Sequence, residues 1–249
     1  MSAAGHDGSP DPAPLDDAGR AELRRRRVMS MPRWYSPWLH LASTVGLGCG
    51  LAALSLTRLR SLQACELAAI PLFFVFCNAV EWRAHRGLLH RRRRFLEAFY
   101  DRHTPVHHRV FVESDMAIRT PRELGFVLIP SYGIAGVFAL TLPLALALGA
   151  AGQSNLASLF VATCMGYMVL YECLHLSYHL PPDSRIGRSR LVARLRRHHS
   201  AHHRPSLMRQ WNFNVTFPLW DLVRGTYHRG GGAADAATRD GRSRSALER

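Results

Sequence analysis

Lysine is absent: all 32 basic residues are arginine. That exclusivity reads as the codon bias of a GC-rich genome rather than as a device for bidentate phosphate recognition. Cysteine is scarce and unpatterned. Cys49, Cys65, Cys77, Cys164 and Cys173 lie in or beside apolar runs, and none forms a Cys-x-x-Cys pair. An odd number in greasy segments marks reduced thiols acting as small hydrophobes. No secretory signal is visible. The first 27 residues are polar, end in Arg24-Arg25-Arg26-Arg27 and lead into no short apolar core with a cleavage site. No signature of a nucleic-acid module accompanies the formal net charge of +14 and the pI near 10.8. The basic balance therefore points to the cytoplasmic face of a membrane protein, in contact with anionic headgroups.

The mean hydropathy of −0.08 conceals a division between very polar ends and four apolar runs. The runs extend from Pro37 to Leu56, Ala64 to Val80, Leu124 to Gly149 and Asn155 to about Leu174. A bilayer core needs roughly 20 apolar residues per helix. The second run is short and carries Pro71, which makes it the least secure span. Thr120-Pro121-Arg122-Glu123 predicts a capping box ahead of the third, and Pro181-Pro182 stops the fourth just beyond His179. Residues 1–30 and 229–249 read as disordered tails around a membrane domain over 31–228. Nearly all arginines fall in the N-terminal tail, in 81–122 and in the C-terminal third; Arg58 and Arg60 are the exceptions. Positive-inside logic puts both termini in the cytoplasm, in a bacterial cytoplasmic membrane. The expected class is all-α and integral membrane, with four transmembrane helices and a cytoplasmic helical cap.

Fourteen histidines are present, and eleven fall in two stretches on that cytoplasmic side. His85 and His90, then His103, His107 and His108, follow the second span. His175 and His179 end the fourth, and His198, His199, His202 and His203 come shortly after. Residues three or four apart share a helical face, so His175 with His179, and His199 with His202 and with His203, can reach one ion. Thr104-Pro105 looks like a helix start, which places His103 just before it. His85 and His90 stand about 140° apart on an ideal helix, so they serve different ions or the helix breaks near Gly87. An apolar stripe of Leu191, Val192 and Leu195 centres His199 and His202 and leaves His198 and His203 equivalent. His6, His40 and His228 are isolated and read as ordinary side chains. About ten nitrogen donors exceed one zinc site and suit two ions of five or six coordination. Imidazole accepts zinc, copper, iron or nickel, so the donors alone do not name the metal.

Four segments together resemble the membrane-bound fatty acid hydroxylase and sterol desaturase superfamily, over about residues 78–227. They are the run from Glu81 to His90, the run from Arg102 to His108, the run from Tyr171 to His179, and His199-Ser200-Ala201-His202-His203 followed by the run from Asn212 to Asp221. The resemblance implies a histidine-ligated dimetal centre, functionally two iron ions although the same donors take zinc, and dioxygen as co-substrate. It also implies electrons from an external donor, a haem cytochrome or a ferredoxin with its reductase. Carried over motif by motif, the ligands are His85, His90, His103, His107, His108, His175, His179, His199, His202 and His203; family spacing selects His199 over His198. Two departures stand out: three residues separate His103 from His107 where many members have two, and Asn214 replaces a usual glycine.

The expected function is hydroxylation or desaturation of a lipid, such as an acyl chain, sterol or isoprenoid, that enters from the membrane. Asp221, with Glu81 and Glu172, is a candidate to orient ligand N–H groups, although interfacial roles suit these acids as well. Trp211, Trp220 and Tyr178 read as interfacial aromatics. The rival is a metal-ion transporter or membrane metal-binding protein with a His-rich cytoplasmic site. Transport wants polar residues amid the spans, whereas Glu66, Asn78 and Glu172 sit at span ends. A metallopeptidase would carry Glu beside its first ligand histidine, and none does.

Overall fold

The computed structural model describes residues 14–229. The fold is all-α. Among the described residues the only extended pairing is an isolated bridge between Val112 and Asp115. Ten α-helices follow one another among the described residues: α1 (Asp17–Met29), α2 (Pro37–Leu56), α3 (Ala69–Ala84), α4 (Glu97–Arg102), α5 (His108–Val110), α6 (Leu124–Val127), α7 (Ser131–Ala150), α8 (Ser154–His179), α9 (Arg190–His202) and α10 (Leu219–Arg224). Four segments are long and apolar enough to cross a membrane: Pro37–Leu56, Ala64–Leu89, Pro121–Ala150 and Ser154–His179. The chain is an integral membrane protein.

Local chemistry explains where the spans begin. Ser36 caps α2 by accepting the Leu39 N–H, and Pro37 takes the first helical position. Gln63 and Glu66 cap each other's backbone before the second span. Pro71 then falls in the first turn of α3, where N–H groups lack intrahelical partners anyway. The span therefore runs through to Leu89, longer than its apolar run.

The third span is interrupted. Leu128 leaves the helical region, and α7 restarts after Pro130; the proline also disfavours helical dihedrals at Ile129, the residue before it. The freed backbone is satisfied from neighbouring helices: Ile129 N–H donates to Glu172, and the Ile129 carbonyl accepts from Thr44. Non-helical backbone at membrane depth is tolerated where protein surrounds it in this way. The capping box expected at Thr120 does not form. Thr120 makes no side-chain cap, because Glu123 is buried and spends its carboxylate on Arg24 and on the Arg119 N–H.

α8 is the central post, packed against α2, α3 and α7. Phe160, Val161, Cys164, Met165 and Tyr167 form its buried contact with Cys77. Its 26 residues span about 39 Å at 1.5 Å each, beyond a hydrocarbon core of about 30 Å. The surplus carries His175 and His179 out to one end of the bundle. At the other end Arg60 and Glu66 are bonded to Asn155, which ties the two short connecting loops together.

The expected N-terminal tail needs correction. Residues 17–29 form a helix whose Leu23 joins the Val106, Val110 and Phe111 cluster, with Arg24 buried beside it. Residues 1–13 and 230–249, which complete the two expected tails, lie outside the described residues.

Candidate metal centre

The histidines after the second span are aimed by local departures from α-helical geometry, whereas His175, His179, His199 and His202 project from regular α-helices. At His85–Leu89 the helix widens into a π-turn. Its i→i+5 pattern brings residues five apart onto one face, so the His85 and His90 rings stack at 5.0 Å. The 140° separation of an ideal helix does not apply here, and the two histidines share one site. A second π-turn covers His103–His107 and continues α4. His103 is therefore inside a helix, contrary to the sequence reading, and Thr104 is no cap: its hydroxyl donates to the Leu89 carbonyl. Pro105 lacks the N–H that would close an α-turn to Asp101. His103 and His108 thereby face one way and His107 the other.

The donors fall into two buried groups, in each of which the candidate atoms all lie within 4.8 Å of one another. One holds His85, His90, His103, His108 and His202, the other His107, His179, His199 and His203. His175 adjoins the second, its Nε2 3.3 Å from that of His107. The groups abut, with the His108 and His203 rings stacked at 4.2 Å. α9 feeds both, so His199 pairs with His203 but not with His202, which joins the first group. His198 stays outside: it bonds Asp221 at 3.3 Å and stacks on Tyr227. Of the expected stripe, Val192 and Leu195 are buried while Leu191 is exposed.

The hydrogen bonds behind the rings decide their protonation. The Nδ1 atoms of His85, His107, His179, His202 and His203 face the carbonyls of Phe213, Phe126, Met116, Trp211 and Phe111 at 2.5–3.0 Å. A carbonyl only accepts, so each Nδ1 carries the hydrogen. His90 Nδ1 lies 3.1 Å from the Thr104 hydroxyl, whose own hydrogen goes to Leu89, so it donates as well. Burial, the largest cause, pushes His90, His103, His107, His108, His199 and His203 well below the usual imidazole range, and neighbouring imidazoles add to it. Burial likewise takes His202 down to about 4. Neutral rings with Nδ1 protonated leave Nε2 a bare lone pair.

Those bare atoms converge. Nε2 of His90 and Nε2 of His202 stand 2.9 Å apart with no proton between them. Nε2 of His179 is buried without a hydrogen-bond partner. Lone pairs so placed repel one another unless a cation draws them in. The 2.9 Å gap matches two nitrogens bonded at about 2.1 Å to one ion at a right angle. The donor set fits two metal ions.

The orienting groups were missed from sequence, where carboxylates were expected. Backbone carbonyls do that work, and carbonyls leave no mark on a side-chain pattern. Glu81 instead accepts from the Val215 and Thr216 backbone and is bonded to Tyr167. Glu172 holds Ile129. Asp221 accepts from the N–H groups of Phe213 and Asn214 and from the Thr226 hydroxyl. It is one step removed, fixing the loop whose Phe213 carbonyl holds His85. Asn214, where a glycine was expected, bonds Asp221 and the Asn78 carbonyl. Tyr178 is not interfacial: it is buried, donates to the Val215 carbonyl and lies against His199.

A family model for fatty acid hydroxylase matches residues 70–226. No curated protein and no solved structure matches the chain. The matched region takes in every histidine of both groups and well over half of the sequence, and the chain belongs to the fatty acid hydroxylase family.

Proposed function

We propose that the chain is a dioxygen-dependent di-iron oxygenase that hydroxylates or desaturates a membrane lipid, its ten grouped histidines serving as ligands. The observation that carries this reading is the pair of abutting, buried histidine groups at the end of a membrane bundle, in which Nδ1 hydrogen bonds leave Nε2 of His85, His90, His107, His179, His202 and His203 as acceptors. Bound iron would supply the reduction of dioxygen and the removal of hydrogen from an unactivated carbon. The protein's part is to hold donors in register and keep them dry. Carbonyls fix the tautomers, and the burial that keeps the imidazoles neutral also excludes competing water. Histidines at the ends of the spans support a site at interface depth, where a bilayer lipid can present its chain. Positive-inside logic supports a cytoplasmic site, and the basic face suits an acidic electron carrier, a cytochrome or ferredoxin.

The test is purification in detergent with metal analysis, beside lipid profiling of cells that make the chain. The expected result is about two metal ions per chain, mainly iron, and a new hydroxylated or desaturated lipid that is absent from cells making His107→Ala. Sub-stoichiometric metal with an unchanged lipid profile would favour transport or simple metal binding.

A further inference from the structure

Where the second span leaves the bilayer, a groove of about 590 Å³ opens beside α3 and the turn that follows it. Arg83, Arg86, Arg91, Arg93 and Arg224 line it, and no acid does. None of the five forms an ion pair among the described residues. Two of these cations share one indole: Arg86 and Arg224 stand 5.1 and 5.4 Å from the centre of the Trp82 ring. A Cβ at Gly87 would come within 2.3 Å of an Arg83 nitrogen, so glycine leaves that guanidinium its place. Like charges gathered over one ring repel, and an anion among them removes the conflict. Arginine forks bind phosphate oxygens two at a time.

The rest of the groove is apolar. Phe76, Val80, Trp82 and Trp220 line it, continuous with Leu72 and Val75 exposed further along the same helix. A free anion has no use for that surface, whereas a lipid has use for both halves. We propose that the groove seats an anionic phospholipid, its phosphate among the arginines and its first methylenes on Phe76, Val80 and Trp220. Phe213, buried between Trp82 and His85, separates this site from the metal centre. The site therefore stands whether or not the chain is an oxygenase.

The test uses the full chain, delipidated in neutral detergent and titrated with phosphatidylglycerol or phosphatidylcholine in mixed micelles, with bound lipid counted by native mass spectrometry. Phosphatidylglycerol should bind saturably. Its affinity should fall at least about tenfold in Arg83→Gln/Arg91→Gln/Arg224→Gln, all three exposed. The same loss of charge in Arg185→Gln/Arg190→Gln/Arg194→Gln, exposed on the same end, should leave it unchanged. The comparison of lipids on the unaltered chain needs no variant. Equal binding of the zwitterionic lipid, an equal loss in the second triple, or a match by inorganic phosphate or a free fatty acid would each overturn the proposal.

Discussion

Neighbouring histidines at 198 and 199 separate a ring inside a candidate metal group from one outside it. His199 points into the second group, its Nε2 3.0 Å from that of His203, while His198 holds Asp221. Periodicity alone did not rank His198 against His203, because both flank the buried stripe equally; the resemblance selected His199, and the structure groups His199 and His203 while leaving His198 outside. His199→Ala should remove about one metal ion per chain, whereas His198→Ala should keep the metal and lose some stability through Asp221. Equal metal content in the two variants would undo this distinction. Proton binding gives a second handle. His202 titrates near 4 in the folded chain against an ordinary 6.5. Between those values the unfolded chain takes up a proton that the folded one refuses, so stability falls with pH across that window and is unaffected above it. His202 alone is worth about 3 kcal/mol by pH 4, and the other depressed histidines outside the spans act in the same direction. Chelator-treated protein should therefore melt at steadily lower temperature below about pH 6.5, with the metal-loaded protein resisting to lower pH. A flat melting profile over that range would contradict the buried, neutral assignment.

Elements were legible where one period ran unbroken. Three of the spans could be read from apolar length, the second less securely because its run is short, and the end of α8 from its two prolines. The departures were harder. The apolar run across Leu128–Pro130 hides a break whose backbone is satisfied by side chains from remote helices, and a single sequence does not show those partners. The first π-turn was half legible: the 140° separation left either different ions or a break near Gly87, and the widened turn across Gly87 is that departure, whereas the second gave no such sign from spacing. Pro105 was the available signal, because a proline within a helix removes the N–H that would tighten the turn. Pro105→Ala restores that donor. The turn should relax toward α geometry and rotate His107 and His108 off their groups. Metal per chain should then drop by about half or more, with helicity by circular dichroism level or slightly higher. Full metal content in this variant would show that tertiary packing, and not the proline, sets the turn.

At the scale of the whole molecule, the N-terminal arginine run has two meanings, and sequence showed one. Arg25 and Arg26 pair with Glu22 on an exposed face, as a solvated charge run should. Arg24 turns inward. It bonds Glu123 at 2.6 Å and the carbonyls of Val110 and Ala117, and lies over the Phe111 ring. One residue of four in a row carries no pattern to reveal this. Its placement joins α1, the start of the third span and the strand of chain whose Phe111 carbonyl orients His203. Arg24→Met leaves Glu123 buried without its partner and should lower stability by about 3–5 kcal/mol. Arg24→Met with Glu123→Leu removes both charges and should recover most of that loss, since an apolar pair of similar volume often serves as well as a buried ion pair. Thermal melts of the four proteins give the coupling. If the clamp also tensions the Phe111 carbonyl, the single variant should release metal faster than the double, and from the group containing His203 first. Independent, additive losses would mean that α1 merely covers the cap, and the metal centre would then owe nothing to the N-terminal helix.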